Sequence, residues 1–141
     1  MSQSNEGTLR AFLESIKDIP AFVDALKRGD ADLSPLDPHV AYEDANLPDN
    51  IGETYRGSEG ILRAAERWAD ANETLTLELE RIVGSGDRLV SIHKAHSKAR
   101  HTGIEFDVTL AYAWTFRHGR IVHFQSYRDP REAFEAAGLE R

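Results

Sequence analysis

The sequence predicts an α+β protein in which helices cover one face of a curved antiparallel sheet, and three observations carry that prediction. From Phe106 to Phe116 the even positions (Phe106, Val108, Leu110, Tyr112, Trp114, Phe116) are large and apolar, whereas Asp107, Thr109, Ala111, Ala113 and Thr115 between them are small or polar. Alternation with period two marks a long strand with one buried face. The same period appears earlier, where Leu75, Leu77 and Leu79 alternate with Thr76, Glu78 and Glu80. Upstream of both, apolar residues recur at helical spacing, so helices come first and most strands follow.

The elements can be justified in order. Leu9, Phe12, Leu13 and Ile16 give a first helix its buried stripe, with Thr8 as candidate cap. Pro20 suits the start of a second helix, which carries Phe22, Val23 and Leu26 and stops at Gly29-Asp30. Residues 31–38 read as a turn-rich link, Val40 to Asp44 as a short strand, and Asn46 to Gly52 as a loop. After Gly57 a third helix places Ile61, Leu62, Ala65, Trp68 and Ala69 on one side. Gly84-Ser85-Gly86-Asp87 turns the Leu75 strand into another that runs from Arg88 to about Arg100. A last strand covers Ile121 to Arg128. Asp129 then caps a closing helix with Pro130 at its first position, Gly138 at its end and Leu139 folded back on Phe134.

Composition narrows the functional classes. The chain has 141 residues, 40% hydrophobic and 29% charged, as expected for one globular domain spanning 1–141, with residues 1–7 expected to be disordered. A net charge of −7 without a basic stripe argues against nucleic acid. No apolar run suits a membrane span and no signal pattern opens the chain, so no membrane partner and a cytoplasmic location are expected. The absence of cysteine excludes disulfides and thiolate catalysis. His93 and His96 would point to opposite faces of a strand, so no metal is expected, and no Gly-rich phosphate loop follows a strand, so no cofactor is expected either.

Two hairpins decide which side chains meet. A two-residue loop at His118-Gly119 would set Trp114 opposite His123. A three-residue loop including Arg117 sets Trp114 opposite Val122 and Tyr112 opposite Phe124, and is preferred because it keeps apolar residues on the apolar face. A two-residue loop at Thr102-Gly103 sets Ala95, His93 and Ser91 opposite Leu110, Tyr112 and Trp114, which turns His93 inward beside Tyr112.

The segment Y-R-G-S-E-G-I before the Trp68 helix, with A-W-T-F-R-H-G-R-I-V, Y-R-D and the terminal E-A-A-G-L, resembles the nuclear transport factor 2-like superfamily. Within it, the SnoaL-like polyketide cyclases and ketosteroid isomerases are the nearest enzyme groups. The resemblance covers roughly residues 8–139 and implies a cone, a cystatin-like α+β barrel: a strongly bent antiparallel sheet around three to four helices, open at one end. It makes Asp44, in Y-E-D-A, the equivalent of the isomerase's general base. Tyr112 takes the place of the pocket residue that is an aspartic acid in the isomerases and a histidine in the cyclases. Phe22 stands where the isomerase has its oxyanion tyrosine, and Ser126 where the cyclase has its catalytic aspartate. Loss of one oxyanion donor typically costs about 10²–10³ in rate, and Ser126 cannot act as the cyclase's acid/base at neutral pH, so neither activity transfers whole.

The candidate catalytic residues are therefore Asp44, Tyr112 and His93. A carboxylate facing an apolar pocket suits proton abstraction next to a carbonyl, unless Asp44 instead caps the following loop or meets solvent. Tyr112 can donate to a developing oxyanion, and His93 can relay protons or polarise it; each can equally be a satisfied core residue. Phe22, Trp68, Trp114 and Phe124 are candidate pocket walls or core, with Ser126 beside them. Arg128, placed near the pocket mouth by the resemblance, would meet an anionic ligand or Asp44. The expected function is acid/base chemistry without a cofactor on a small apolar oxygenated molecule, of isomerase, cyclase or dehydratase type. The alternative is a non-catalytic module for ligand binding or assembly. Small side chains at Thr109, Ala111, Ala113 and Thr115 suggest a homodimer through the outer face of the sheet.

Overall fold

The computed structural model describes residues 4–44 and 54–139. The loop expected at residues 46–52 falls outside them. Helices α1 (Asn5–Ile16) and α2 (Ile19–Arg28) precede strands β1 (Leu36–Asp44) and β2 (Thr54–Arg56). Helix α3 (Gly57–Ala71) leads into β3 (Asn72–Ser85), β4 (Arg88–Ala99), β5 (Glu105–Arg117) and β6 (Arg120–Tyr127), and α4 (Pro130–Ala137) closes the chain. The six strands form one sheet in the order β2-β1-β6-β5-β4-β3. Every described pair is antiparallel except β1 with β6, which run parallel.

Local chemistry sets the helix ends. The first cap is Ser4, not Thr8: its Oγ accepts from the Gly7 amide at 3.0 Å, so residues 5–7 are helical rather than disordered. Asp18 caps α2, accepting from the Ala21 amide, and left-handed Gly29 ends it. Asp129 caps α4 through the Arg131 amide, and the Leu139 amide returns to the Phe134 carbonyl. Among the described helices none is long and apolar enough to cross a membrane.

Both hairpin registers differ from the sequence expectation, and each difference has a cause. His118 and Gly119 both adopt positive φ (52° and 76°), making a two-residue turn. A bulge between the pairs Thr115–His123 and Phe116–Ile121 then leaves Val122 as an extra residue, so Phe124 and Ser126 regain the inner face opposite Trp114 and Tyr112. Between β4 and β5 the chain turns through residues 100–103, with Ala99 bonded to Ile104. This shifts the partners by two residues while preserving the faces: His93 lies opposite Leu110, and Ser91 opposite Tyr112.

The sheet has a different cover on each face. Its inner face closes over α1, α2 and α3 around a core that includes Leu9, Phe12, Trp114 and Ile121. On the outer face α4 lays Ala133, Phe134 and Ala137 on Val90, Ile92 and Ala111, with Ala113 packed against them. Burying Phe134 there contributes roughly 1.5–3 kcal/mol. The small residues at 111 and 113 thus receive the chain's own last helix, and any partner copy would meet what α4 leaves open. The alternation of β5 also breaks down at its start. Phe106 and Val108 remain 44% and 43% exposed, because the helices do not reach that end of the sheet.

Candidate functional site

Where the helices fall short of the sheet, a cavity of about 560 Å³ opens between the start of α2, the end of α3 and strands β3, β4 and β5. Trp68, Leu75, Leu77, Leu110 and Tyr112 form much of its wall. A second cavity of about 70 Å³ lies deeper and shares Ile19, Trp68, Leu77 and Tyr112 with the first. The size of the outer cavity suits a small organic ligand.

Behind that shared wall is a buried polar cluster built by strand periodicity. Val40, Tyr42 and Asp44 alternate inward on β1, while Glu43 turns outward and meets His123 Nε2 at 2.8 Å. The parallel register sets Asp44 beside Ser126, and the β5–β6 register sets Ser126 beside Tyr112. Asp44 is 1% exposed, and three donors converge on its carboxylate. Ser126 Oγ donates to Oδ1 at 2.7 Å; Tyr42 Oη and Trp68 Nε1 donate to Oδ2 at 2.5 and 2.6 Å. A buried carboxylate requires such donors, since stripping it of water is costly.

Tyr112 joins this cluster to the cavity. Its hydroxyl is held well above the ordinary tyrosine range, first by burial and then by the Asp44 charge, with Tyr42's hydroxyl acting in the opposite direction. Tyr42 is raised as well, chiefly by burial. Both phenols therefore stay protonated and serve as donors.

His93 occupies a separate buried niche. It is 1% exposed, lines neither cavity, and meets Tyr112 edge-on with ring centroids 5.4 Å apart. Its Nε2 pairs with Ser91 Oγ at 2.8 Å, and the same oxygen accepts from Trp114 Nε1 at 2.8 Å. Its Nδ1 has no hydrogen-bond partner among the described residues, and burial lowers its pKa to about 4, so the ring is neutral at neutral pH.

The other sequence candidates separate by position. Trp68 lines both cavities and Arg128 the outer one. Phe22, Trp114 and Phe124 line the deep cavity, with Phe124 stacked between Tyr42 and Trp114 at 4.3 and 4.5 Å. Ser126 serves Asp44 rather than a cavity wall, and Asp44 does not line the outer cavity among the described residues. Arg128 does not pair with Asp44, whose described donors are Ser126, Tyr42 and Trp68. The sequence reading overlooked Tyr42, although its spacing of two from Asp44 on a strand was the available signal. Among the described residues no group of three or more His, Asp or Glu gathers as a metal site.

The comparisons with known proteins bear on this arrangement. Among solved structures the chain is similar to an NTF2-like protein of unknown function from Burkholderia pseudomallei, with 21% identity over 96% of this chain and 98% of that one, at a TM-score of 0.70. It is similar to TerC co-crystallised with polyporic acid: 19% identity, 94% and 96% coverage, TM-score 0.70. It also resembles a protein with a ketosteroid isomerase-like fold from Catenulispora acidiphila in complex with trimethylamine, at 16% identity, 92% and 93% coverage and TM-score 0.65. At these identities the likeness establishes the fold. No curated protein matches the sequence. The SnoaL-like domain matches residues 19–124, most of the chain and all of the cluster around Asp44 and Tyr112 save Ser126. The protein belongs to the SnoaL-like family.

Proposed function

We propose that this protein binds a small, mostly apolar, oxygenated molecule in the outer cavity and performs cofactor-independent acid/base chemistry on it, of isomerase, cyclase or dehydratase type. The observation that carries the reading is a buried carboxylate, held by Tyr42, Trp68 and Ser126, directly behind the wall that Trp68 and Tyr112 give to an apolar cavity. Tyr112, kept protonated by its burial, donates to the ligand oxygen and stabilises the charge that develops there. Asp44 is the proton acceptor. It is reached from the deep cavity behind Trp68 and Tyr112, where the Tyr42 hydroxyl passes its own proton to Oδ2 as it takes one from the edge of the ligand that enters there.

A second reading is favoured by one observation: Asp44 already accepts three hydrogen bonds from its own chain. In that reading the cluster only fastens β1, β6 and α3 together, and the protein is a ligand-binding or assembly module. A partner copy would then dock on the outer face beyond α4, near Thr109 and Thr115.

The readings separate on 2-tetralone, a flat apolar ketone with acidic protons beside its carbonyl. Titration against tryptophan fluorescence, to which Trp68 and Trp114 both contribute, reports binding, and NMR in deuterated water reports exchange of those protons. The enzyme reading predicts accelerated exchange that Asp44→Asn abolishes while binding is retained, and weaker binding in Tyr112→Phe. Binding without accelerated exchange would leave only the binding module.

A further inference from the structure

The described wall of the outer cavity carries a single charge. Among its described lining residues Arg128 is the one charged side chain, in a surface otherwise built from aliphatic, aromatic and a few neutral polar groups. It stands immediately after β6 and is exposed to solvent. The surrounding cations have partners. Arg131 closes on Asp129 at 3.0 Å, Lys98 on Glu73 at 3.5 Å, and Arg100 donates to the Ala69 and Asn72 carbonyls at 2.9 and 3.4 Å. Arg128 has no ion pair or side-chain hydrogen bond among the described residues, in a chain with 24 Asp and Glu against 17 Lys and Arg. Among the described residues no carboxylate lines the cavity to neutralise it.

We infer that the natural ligand is an amphipathic anion: a flat apolar body bearing one carboxylate or phenolate oxygen group. The body fills the space between Leu75, Leu110 and Trp68, and the anionic group leaves the cavity against the Arg128 guanidinium. Three properties of the site require this combination. Leucine and aromatic walls reward apolar area and offer an anion nothing. A guanidinium is weakly hydrated and presents a planar fork that fits a carboxylate with two parallel hydrogen bonds. Tyr112 supplies a neutral donor on the cavity wall, so a ligand with a second, uncharged oxygen is held at two points. The inference rests on the ligand-binding reading above and adds the charge class of the ligand to it.

The test uses a matched pair of probes, 2-naphthaleneacetate and its methyl ester, which share the apolar body and differ in the charge. Each is titrated into the full-length protein at low and high salt and followed by calorimetry. The carboxylate is expected to bind about fivefold more tightly than the ester at low salt, the upper end of what a solvent-exposed pair with good fork geometry contributes. That preference shrinks as salt rises. Arg128→Gln lowers carboxylate affinity about fivefold with a smaller effect on the ester, and Arg128→Glu reverses the preference. Equal affinity for both probes, or a preference that survives Arg128→Gln, overturns the inference and leaves the cavity reading standing. Binding of neither probe overturns both.

Discussion

His93 makes the protein sensitive to mild acid, by an amount that follows from its surroundings. The ring is buried between β3 and β5, opposite Leu79 and Leu110, with Ser91 as its single hydrogen-bond partner among the described residues. Burial brings its pKa from 6.5 down to about 4. In the unfolded chain the ring regains water and titrates near its ordinary value. As pH falls through that value, the unfolded state takes up a proton that the folded state refuses, and stability is lost. At about pH 4.5 the unfolded ring is almost fully charged and the folded ring about a quarter charged, which amounts to a loss of about 2.5 kcal/mol relative to about pH 7.5. The loss is nearly complete once pH reaches the folded pKa. His96 works in the opposite direction. Asp107 and then Glu78 raise its pKa from the outer face, so its pairs add stability as pH falls. Urea unfolding of wild type and His93→Leu at both pH values isolates the buried ring, because the other titrations are common to the two proteins. Wild type should lose about 2.5 kcal/mol more than the variant over that interval. Parallel losses in the two proteins would refute the argument, and would mean that water reaches His93 in the folded state.

Two further outcomes follow from packing. Asp44→Leu keeps the branched outline, though with bulkier methyls, but leaves the Trp68 N–H, which cannot turn away, without its acceptor, and the Tyr42 and Ser126 hydroxyls with poor alternatives. A destabilisation of about 3 kcal/mol is expected, read as a fall in the urea midpoint with unchanged slope, even after the relief of burying a charge is allowed for. In Gly60→Ala the new methyl would stand 2.7 Å from the Tyr55 backbone carbonyl carbon, so α3 must move off β2. The gain of about 1 kcal/mol in helix propensity is outweighed by overpacking of about 1–3 kcal/mol, and the melting temperature should fall.

The sequence carried the identity of faces far better than the identity of partners. Period two on β5 assigned Tyr112 and Trp114 inward, and the hairpin argument carried Ser91 and His93 to the same face; all four are buried. Which residues meet across the strands depended on turn geometry. The two-residue turn at His118-Gly119 is corrected downstream by a bulge at Val122, and nothing in the composition of R-I-V-H-F announces an unpaired residue. Between β4 and β5 the glycine that sets the turn is Gly103 in both the expected and the observed loop, so composition does not distinguish the two lengths. The three-residue strand β2 escaped notice because it is too short to show a period. The parallel pairing of β1 with β6, which delivers Ser126 to Asp44, joins residues 82 positions apart and has no local signal. Cavity walls were legible only in part. Trp68 and Tyr112 line the outer cavity, while Trp114 and Phe124 have the same aromatic character but lie deeper, because α1 and α2 reach over that end of the sheet.

The most direct measurement is a crystal structure of the protein soaked with 2-tetralone. The proposed function predicts the ketone in the outer cavity, its oxygen within about 3 Å of Tyr112 Oη and the carbon beside its carbonyl turned toward Tyr42 and Asp44. A ketone bound elsewhere, or a cavity filled by the protein's own side chains with the Asp44 cluster sealed behind them, would contradict it.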